Sequence, residues 1–82
     1  MRFGDAINHM QNGGKVQRHG WNGKGMFIFT IIEWEFNTDI SGVDEIETMP
    51  FICMKTADNK LVPWLASQTD VLAEDWMAIR DD

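Results

Sequence analysis

The predicted fold is built around Met26-Phe27-Ile28-Phe29-Thr30-Ile31-Ile32, a run of apolar and β-branched residues. Its length is typical of a buried strand, which spans about 4–8 residues. Alternate side chains of a strand point to opposite faces of the sheet. Met26, Ile28 and Ile32 share one face, and Phe27, Phe29 and Ile31 share the other. A strand that is apolar on both faces is covered on both. In a chain with few helices, a second subunit would provide one of these covers.

Three local patterns precede this run. Apolar residues recur at helical spacing over residues 3–12 and predict a short amphipathic helix, which Gly13-Gly14 ends. Residues 15–18 alternate in polarity and predict a short strand. Segment 19–25 contains three glycines, with Asn22-Gly23 in its middle, and predicts a tight turn.

Further strands are predicted downstream of the run. A strand is expected to end near residues 34–36. Two apolar runs, 51–55 and 61–64, flank a turn at residues 57–60, and together they predict a β-hairpin. Pro63 cannot donate a hydrogen bond to a neighbouring strand, so the second strand of the hairpin is expected near a sheet edge.

The C-terminal part is predicted to form a short helix followed by a last strand. Ser67-Gln68-Thr69-Asp70 matches a capping box, which opens a short helix through residues 71–73. Residues 76–80 alternate in polarity and predict a strand. The fold is therefore predicted to be α+β, with an N-terminal helix, an antiparallel β-sheet and a short C-terminal helix in a single domain over residues 1–82.

Size and charge limit the possible functions. The chain has 82 residues, and a domain this small buries only about 60% of the surface of its unfolded chain, so oligomerisation is a common remedy. Thirteen acidic residues against seven basic ones give a net charge of −6, which argues against non-specific binding of DNA or RNA. No apolar run approaches the roughly 20 residues of a membrane span, and no signal-peptide pattern is present. A cytoplasmic protein without membrane contact is expected.

Neither metal nor cysteine chemistry is expected. Cys53 lies between apolar neighbours and is interpreted as a buried, inert thiol. Residues 33–50 contain six acids and no base, but their spacing is not that of a calcium loop. We interpret this stretch as a solvated acidic loop over about residues 37–50. No cofactor is predicted.

Two segments combine the residue types that bind a nucleotide-like ligand. In residues 18–27, glycines let backbone N–H groups approach a ligand, cations attract phosphate and aromatic rings stack on a base. In residues 63–70, hydroxyls lie at a helix N-terminus, which favours phosphate. The candidate ligand-binding residues are Arg18, Trp21, Asn22, Gly23, Lys24 and Phe27 in the first segment, and Trp64, Ser67, Gln68, Thr69 and Asp70 in the second. For Trp64, packing in the core or in an interface is an equal alternative.

Catalytic patterns are weak by comparison. The sequence has no P-loop, no Gly-x-Ser-x-Gly and no paired metal-ligand spacing. Asp70 is interpreted as a helix cap rather than a general base. No residue is therefore assigned a catalytic role.

Longer strings of the sequence resemble a known family. Trp21-Asn22-Gly23-Lys24-Gly25-Met26 is one, and Met54-Lys55-Thr56-Ala57-Asp58 is another. A third runs from Pro63 to Trp76 with the pattern PW-x-ASQTD-x-LA-x-DW. These strings resemble a family of small phage and prophage proteins, the second type of Thoeris anti-defence protein. The opening helix and Arg18 also fit the pattern of the family, so the resemblance spans nearly the whole chain outside the acidic loop.

The resemblance implies a sponge, meaning a protein that binds a signal and removes it without cleaving it. In Thoeris defence, a TIR-domain enzyme makes a cyclic ADP-ribose signal that activates an effector. Proteins similar to this one sequester such signals, which are glycocyclic ADP-ribose isomers, and some relatives also hold cyclic dinucleotides. The resemblance further implies a homotetramer with ligand pockets between subunits. It places Trp21 and Phe27 around adenine or ribose, and Arg18 and Lys24 near pyrophosphate.

Two other functions are compatible with the sequence. One is an enzyme that degrades such a signal, which would need an acid such as Asp70 beside a scissile bond. The other is a protein-interaction module that inhibits a host defence protein through the acidic loop.

Overall fold

The computed structural model describes residues 1–21, 24–33, 39–43 and 46–80, and these form an α+β fold. The elements, in chain order, are α1 (Phe3–Gln11), β1 (Lys15–Arg18), a 3-10 turn (His19–Trp21), β2 (Phe27–Ile31), β3 (Phe51–Lys55), β4 (Leu61–Pro63), α2 (Gln68–Leu72) and β5 (Trp76–Ile79). The strands form one sheet in the order β4-β3-β2-β1-β5, and all neighbours are antiparallel. The predicted fold class is confirmed.

Most of the predicted elements are present with small changes of boundary. The first helix ends at Gln11, and Gly13 follows with a φ of 88°, a left-handed conformation that glycine adopts without strain. The predicted hairpin is β3 and β4, with Pro63 on the edge strand. Its turn is closed by bonds between the backbone N–H of Thr56 and the Lys60 carbonyl, at 2.8 Å, and between the Lys60 N–H and the Thr56 hydroxyl, at 3.0 Å.

The core lies on one face of the sheet, beneath α1. Ala6 and Met10 of α1 pack with Val16, Ile28 and Trp76 of the strands, and all five are at most 1% exposed. Val16 pairs with Ile28 across β1 and β2, so both side chains point to this face. The helix therefore covers the centre of the sheet on this side, which we call the helix face.

The opposite face, which we call the open face, carries the aromatic side chains of β2. Phe27 and Phe29 alternate with the buried Ile28 and are half-buried. Cys53 pairs with Phe29 and is buried, as expected for an inert thiol. Both helices pack on the helix face, so no described helix covers this second apolar surface.

The central segment contributes no regular element where it is described. Residues 39–43 and 46–50 contain neither helix nor strand, which agrees with the predicted acidic loop. Ile40, Ile46 and Met49 are exposed there. The strand end predicted near residues 34–36 lies outside the described residues. Within the described ranges, no helix is long and apolar enough to span a membrane.

Candidate ligand-binding site

Arg18 joins the C-terminal segment to the sheet. Its Nε donates to Oδ1 of Asp75 at 3.0 Å, and its Nη1 donates to Oδ1 of Asp70 at 3.1 Å. The hydrogen bonds to Asp75 and then Asp70 raise the pKa of Arg18 above its ordinary value. The formal charges of Arg18, Asp70 and Asp75 therefore sum to −1. A phosphate approaching Arg18 would therefore meet two carboxylates beside the guanidinium.

Asp70 and Ser67 form the predicted capping box at the start of α2. The Asp70 N–H donates to Ser67 Oγ at 3.2 Å, and the Ser67 N–H donates to Asp70 Oδ2 at 2.9 Å. The Ser67 hydroxyl also donates to Asp70 Oδ2, at 2.7 Å. Burial alone would raise the pKa of Asp70, but the bonds from Ser67 and Arg18 outweigh it and hold this pKa below its ordinary value. Asp70 thus accepts bonds at both oxygens and is a poor proton acceptor near neutral pH.

Three tryptophans form an aromatic cluster next to the hydrogen bonds of Arg18, Ser67 and Asp70. The ring centroids of Trp21, Trp64 and Trp76 lie 5.5–6.2 Å apart, and each pair meets edge to face. Phe3 of α1 packs on Trp64 and Trp76. The indole N–H of the buried Trp76 donates to the Asp70 carbonyl at 2.9 Å. The cluster therefore extends the core as well as presenting half-buried indole surface from Trp21 and Trp64.

The structure brings one part of the predicted site together and separates another part from it. Arg18, Trp21, Trp64 and the segment Ser67–Asp70 meet at the end of β1 on the helix face. Gln68 and Thr69 are exposed there, as is Lys24 beyond the 3-10 turn. Phe27 lies on the open face, so Phe27 and Trp21 of the same chain cannot both stack on the same ring of a ligand. Asn22 and Gly23 lie outside the described residues.

Phe27 has two basic neighbours that the sequence patterns did not single out. The Nζ atoms of Lys15 and Lys55 lie 5.0 Å and 5.8 Å from the centroid of its ring. Lys55 is the pairing partner of Phe27, and Lys15 lies on the adjacent strand β1. Their convergence depends on strand order and register, which no local pattern encodes. Within the described residues, no group of three or more side chains could hold a metal ion.

Together, the fold and these contacts define a small α+β protein whose candidate ligand surface is built from indole rings, helix-capping hydroxyls and a few cations. Residues 1–79 match the family model described as the Thoeris anti-defense 2-like domain. A curated protein of Bacillus phage SP01, named "Thoeris anti-defense 2", is 46% identical over 81 residues, and the match covers 93% of this chain and 91% of that protein. The chain belongs to the Thoeris anti-defence 2 family, and the family expected from the sequence strings is confirmed.

Proposed function

We propose that this protein sequesters a TIR-derived cyclic ADP-ribose signal, glycocyclic ADP-ribose, without cleaving it, and so prevents activation of the Thoeris effector in the host cytoplasm. The observation that carries the proposal is the family match over residues 1–79, together with the phage relative at 46% identity. These matches support a phage anti-defence role. The ligand and the non-catalytic mechanism are what the resemblance of the sequence strings implies.

Non-catalytic binding is supported by how the acids of the candidate site are used. Asp70 is the acid that an enzyme would need beside the scissile bond, but Arg18 and Ser67 occupy both of its oxygens. Asp75 is likewise bonded to Arg18. A general base must be able to take a proton from the substrate within hydrogen-bond reach. Binding needs no such group, and the exposed side chains of Gln68 and Thr69 remain suited to polar contacts.

We further propose that the protein is a homotetramer with pockets between its subunits. The support is apolar surface that a single chain leaves exposed. Leu65 is 92% exposed and Leu72 is 77% exposed, and the open face carries half-buried aromatic rings. Exposed apolar patches of this kind commonly mark protein–protein interfaces. A pocket between subunits would also allow Trp21 of one copy and Phe27 of another to contact the same ligand.

Calorimetry with glycocyclic ADP-ribose, followed by heat release and chromatography of the ligand, tests the function. A sponge should bind with nanomolar affinity or better, about −12 kcal/mol or stronger, and release intact ligand. Altered ligand would indicate an enzyme, and absence of binding would contradict the proposed ligand. Cyclic dinucleotides would then be the next ligands to titrate. Light scattering at several protein concentrations tests the tetramer.

A matched pair of variants tests the contact surface. Gln68→Ala removes an exposed amide at the start of α2, and we expect it to weaken binding. Gln11→Ala removes an exposed amide at the end of α1, away from the candidate contacts, and should leave binding unchanged. Equal affinities of the two variants would exclude Gln68 from the site.

A further inference from the structure

Arg18 lies between two segments that carry candidate ligand contacts. The 3-10 turn His19–Trp21 follows Arg18 directly and carries the half-buried indole of Trp21. The other segment is the start of α2, where Asp70 lies 52 residues further along the chain than Arg18. The two segments are distant in sequence, so their separation in space depends on the contacts between them.

The first of these contacts ties Arg18 and the 3-10 turn to Asp75. Arg18 Nε donates to Asp75 Oδ1 at 3.0 Å, and the backbone N–H of His19 donates to the Asp75 carbonyl at 3.1 Å. Asp75 directly precedes β5, whose first residue, Trp76, pairs with Arg18 across the sheet. A side-chain bond and a backbone bond thus fix the start of the turn against Asp75.

The second contact ties Arg18 to the start of α2. Arg18 Nη1 donates to Asp70 Oδ1 at 3.1 Å, while Asp70 Oδ2 accepts the capping bonds from Ser67. The Asp70 carbonyl accepts from the indole of Trp76, which belongs to the aromatic cluster. Helix α2 has five residues and no buried side chain, and a helix this short is not stable without tertiary contacts. Its position therefore depends on polar contacts such as the bond to Arg18.

We propose that Arg18 is a positioning residue, which holds the 3-10 turn and the start of α2 at a fixed separation through Asp75 and Asp70. The planar guanidinium directs its N–H donors along fixed directions, so its bonds to two carboxylates define a geometry that a flexible ammonium group would not. A contact surface that is ordered before binding loses less conformational entropy when the ligand binds. This inference rests on the proposed function, because the ligand that benefits from this order is the proposed signal.

A positioning role and direct contact with phosphate predict opposite effects of removing the Asp75 carboxylate. If Arg18 contacted the phosphate, loss of a neighbouring carboxylate would remove repulsion of the anion and should strengthen binding. If Arg18 positions the two segments, the same loss releases the 3-10 turn and should weaken binding. Global stability is a minor factor, because the Asp75 side chain is 41% exposed and ion pairs at such sites contribute little to it.

The test is calorimetry of the full chain with glycocyclic ADP-ribose. Asp75→Ala should weaken binding about two- to tenfold, as expected for loss of one hydrogen bond that orders a site. Asp75→Asn has the same charge as the alanine variant but keeps an oxygen that can accept from Arg18, so it should recover part of the affinity. Glu74→Ala is the matched control, because it removes one negative charge from an exposed side chain whose 3.5 Å pair with Arg2 is also exposed. It should bind like the original chain, and melting temperatures show whether each variant is folded.

The outcomes separate this inference from the proposed function. If the original chain binds the signal and Asp75→Ala binds as tightly as Glu74→Ala or more tightly, the positioning role is wrong and the function stands. If the original chain does not bind the signal, the proposed ligand is wrong, and the positioning role is tested on the free chain by NMR of the Trp21 indole N–H. Asp75→Ala should then shift this resonance, because the Trp21 ring meets Trp64 and Trp76 edge to face, whereas Glu74→Ala should not. Equal positions of this resonance in the two variants would overturn the inference.

Discussion

Replacing Trp76 with phenylalanine should destabilise the fold more than any other loss of an indole in the aromatic cluster. Trp76 is 1% exposed and packs on Trp21, Trp64 and Phe3. Its N–H donates to the Asp70 carbonyl at 2.9 Å. The substitution removes that donor and part of the ring while leaving an apolar side chain that still fills most of the space.

The magnitude follows from these two losses. The lost hydrogen bond contributes about 0.5–1.5 kcal/mol, because the Asp70 carbonyl keeps a second donor, the Ala73 N–H at 3.3 Å. Weaker edge-to-face contacts cost about 0.5–1.5 kcal/mol for each aromatic pair that is lost. Together, we expect a decrease of about 1–3 kcal/mol in the free energy of unfolding, out of the roughly 5–15 kcal/mol typical of a native protein. In a domain of this size, each kcal/mol lowers the melting temperature by about 4–8 °C.

The assay is urea unfolding followed by circular dichroism at one fixed protein concentration, because self-association would make stability depend on concentration. Trp64→Phe is the matched control. Trp64 is half-buried, and its indole N–H has no hydrogen-bond partner among the described residues. We expect a loss of about 1 kcal/mol or less for this control. Equal losses in the two variants would refute the assignment of a structural role to the Trp76–Asp70 bond.

Three further predictions concern the same end of the sheet. Ser67→Ala removes the capping hydroxyl and should lower the free energy of unfolding by about 1 kcal/mol, measured by urea titration. Because the pKa of Asp70 is lowered by folding, its stabilising contribution is present above the ordinary value near 3.8 and is lost as pH falls through the folded value. Asp70→Asn should therefore be less stable at pH 7 and lose less stability between pH 5 and pH 2 than the original chain. Trp21→Ala should weaken binding of glycocyclic ADP-ribose strongly in calorimetry, whereas Gln11→Ala should not.

The elements that the sequence predicted correctly are those encoded by neighbouring residues. The capping box at Ser67 and Asp70 needs only four consecutive residues, and its hydrogen bonds are those expected. The β3–β4 hairpin follows from two apolar runs and a short polar turn. Helix α1 follows from its apolar stripe and the glycines after it.

The features that the sequence did not predict depend on pairings between distant segments. Arg18 contacts carboxylates that are 52 and 57 residues away, so its ion pairs could not be inferred from its own neighbourhood. The placement of β5 beside β1, rather than beside the hairpin, is also non-local. Strand order and register bring Lys15 and Lys55 to the same ring. A shift of one residue would move either lysine to the opposite face.

The cations on the two faces of the sheet contact different groups. This difference bears on how an acidic protein could bind an anion. On the helix face, the cation of Arg18 is matched by Asp70 and Asp75, and these contacts fix the C-terminal segment. On the open face, the ammonium groups of Lys15 and Lys55 lie 5.0 Å and 5.8 Å from the centroid of the Phe27 ring. Local charge outweighs net charge at contact distance, because interactions beyond about 8–10 Å are largely screened at physiological salt. A net charge of −6 is therefore compatible with binding of a phosphate-bearing ligand wherever cations lie within that distance of the ligand.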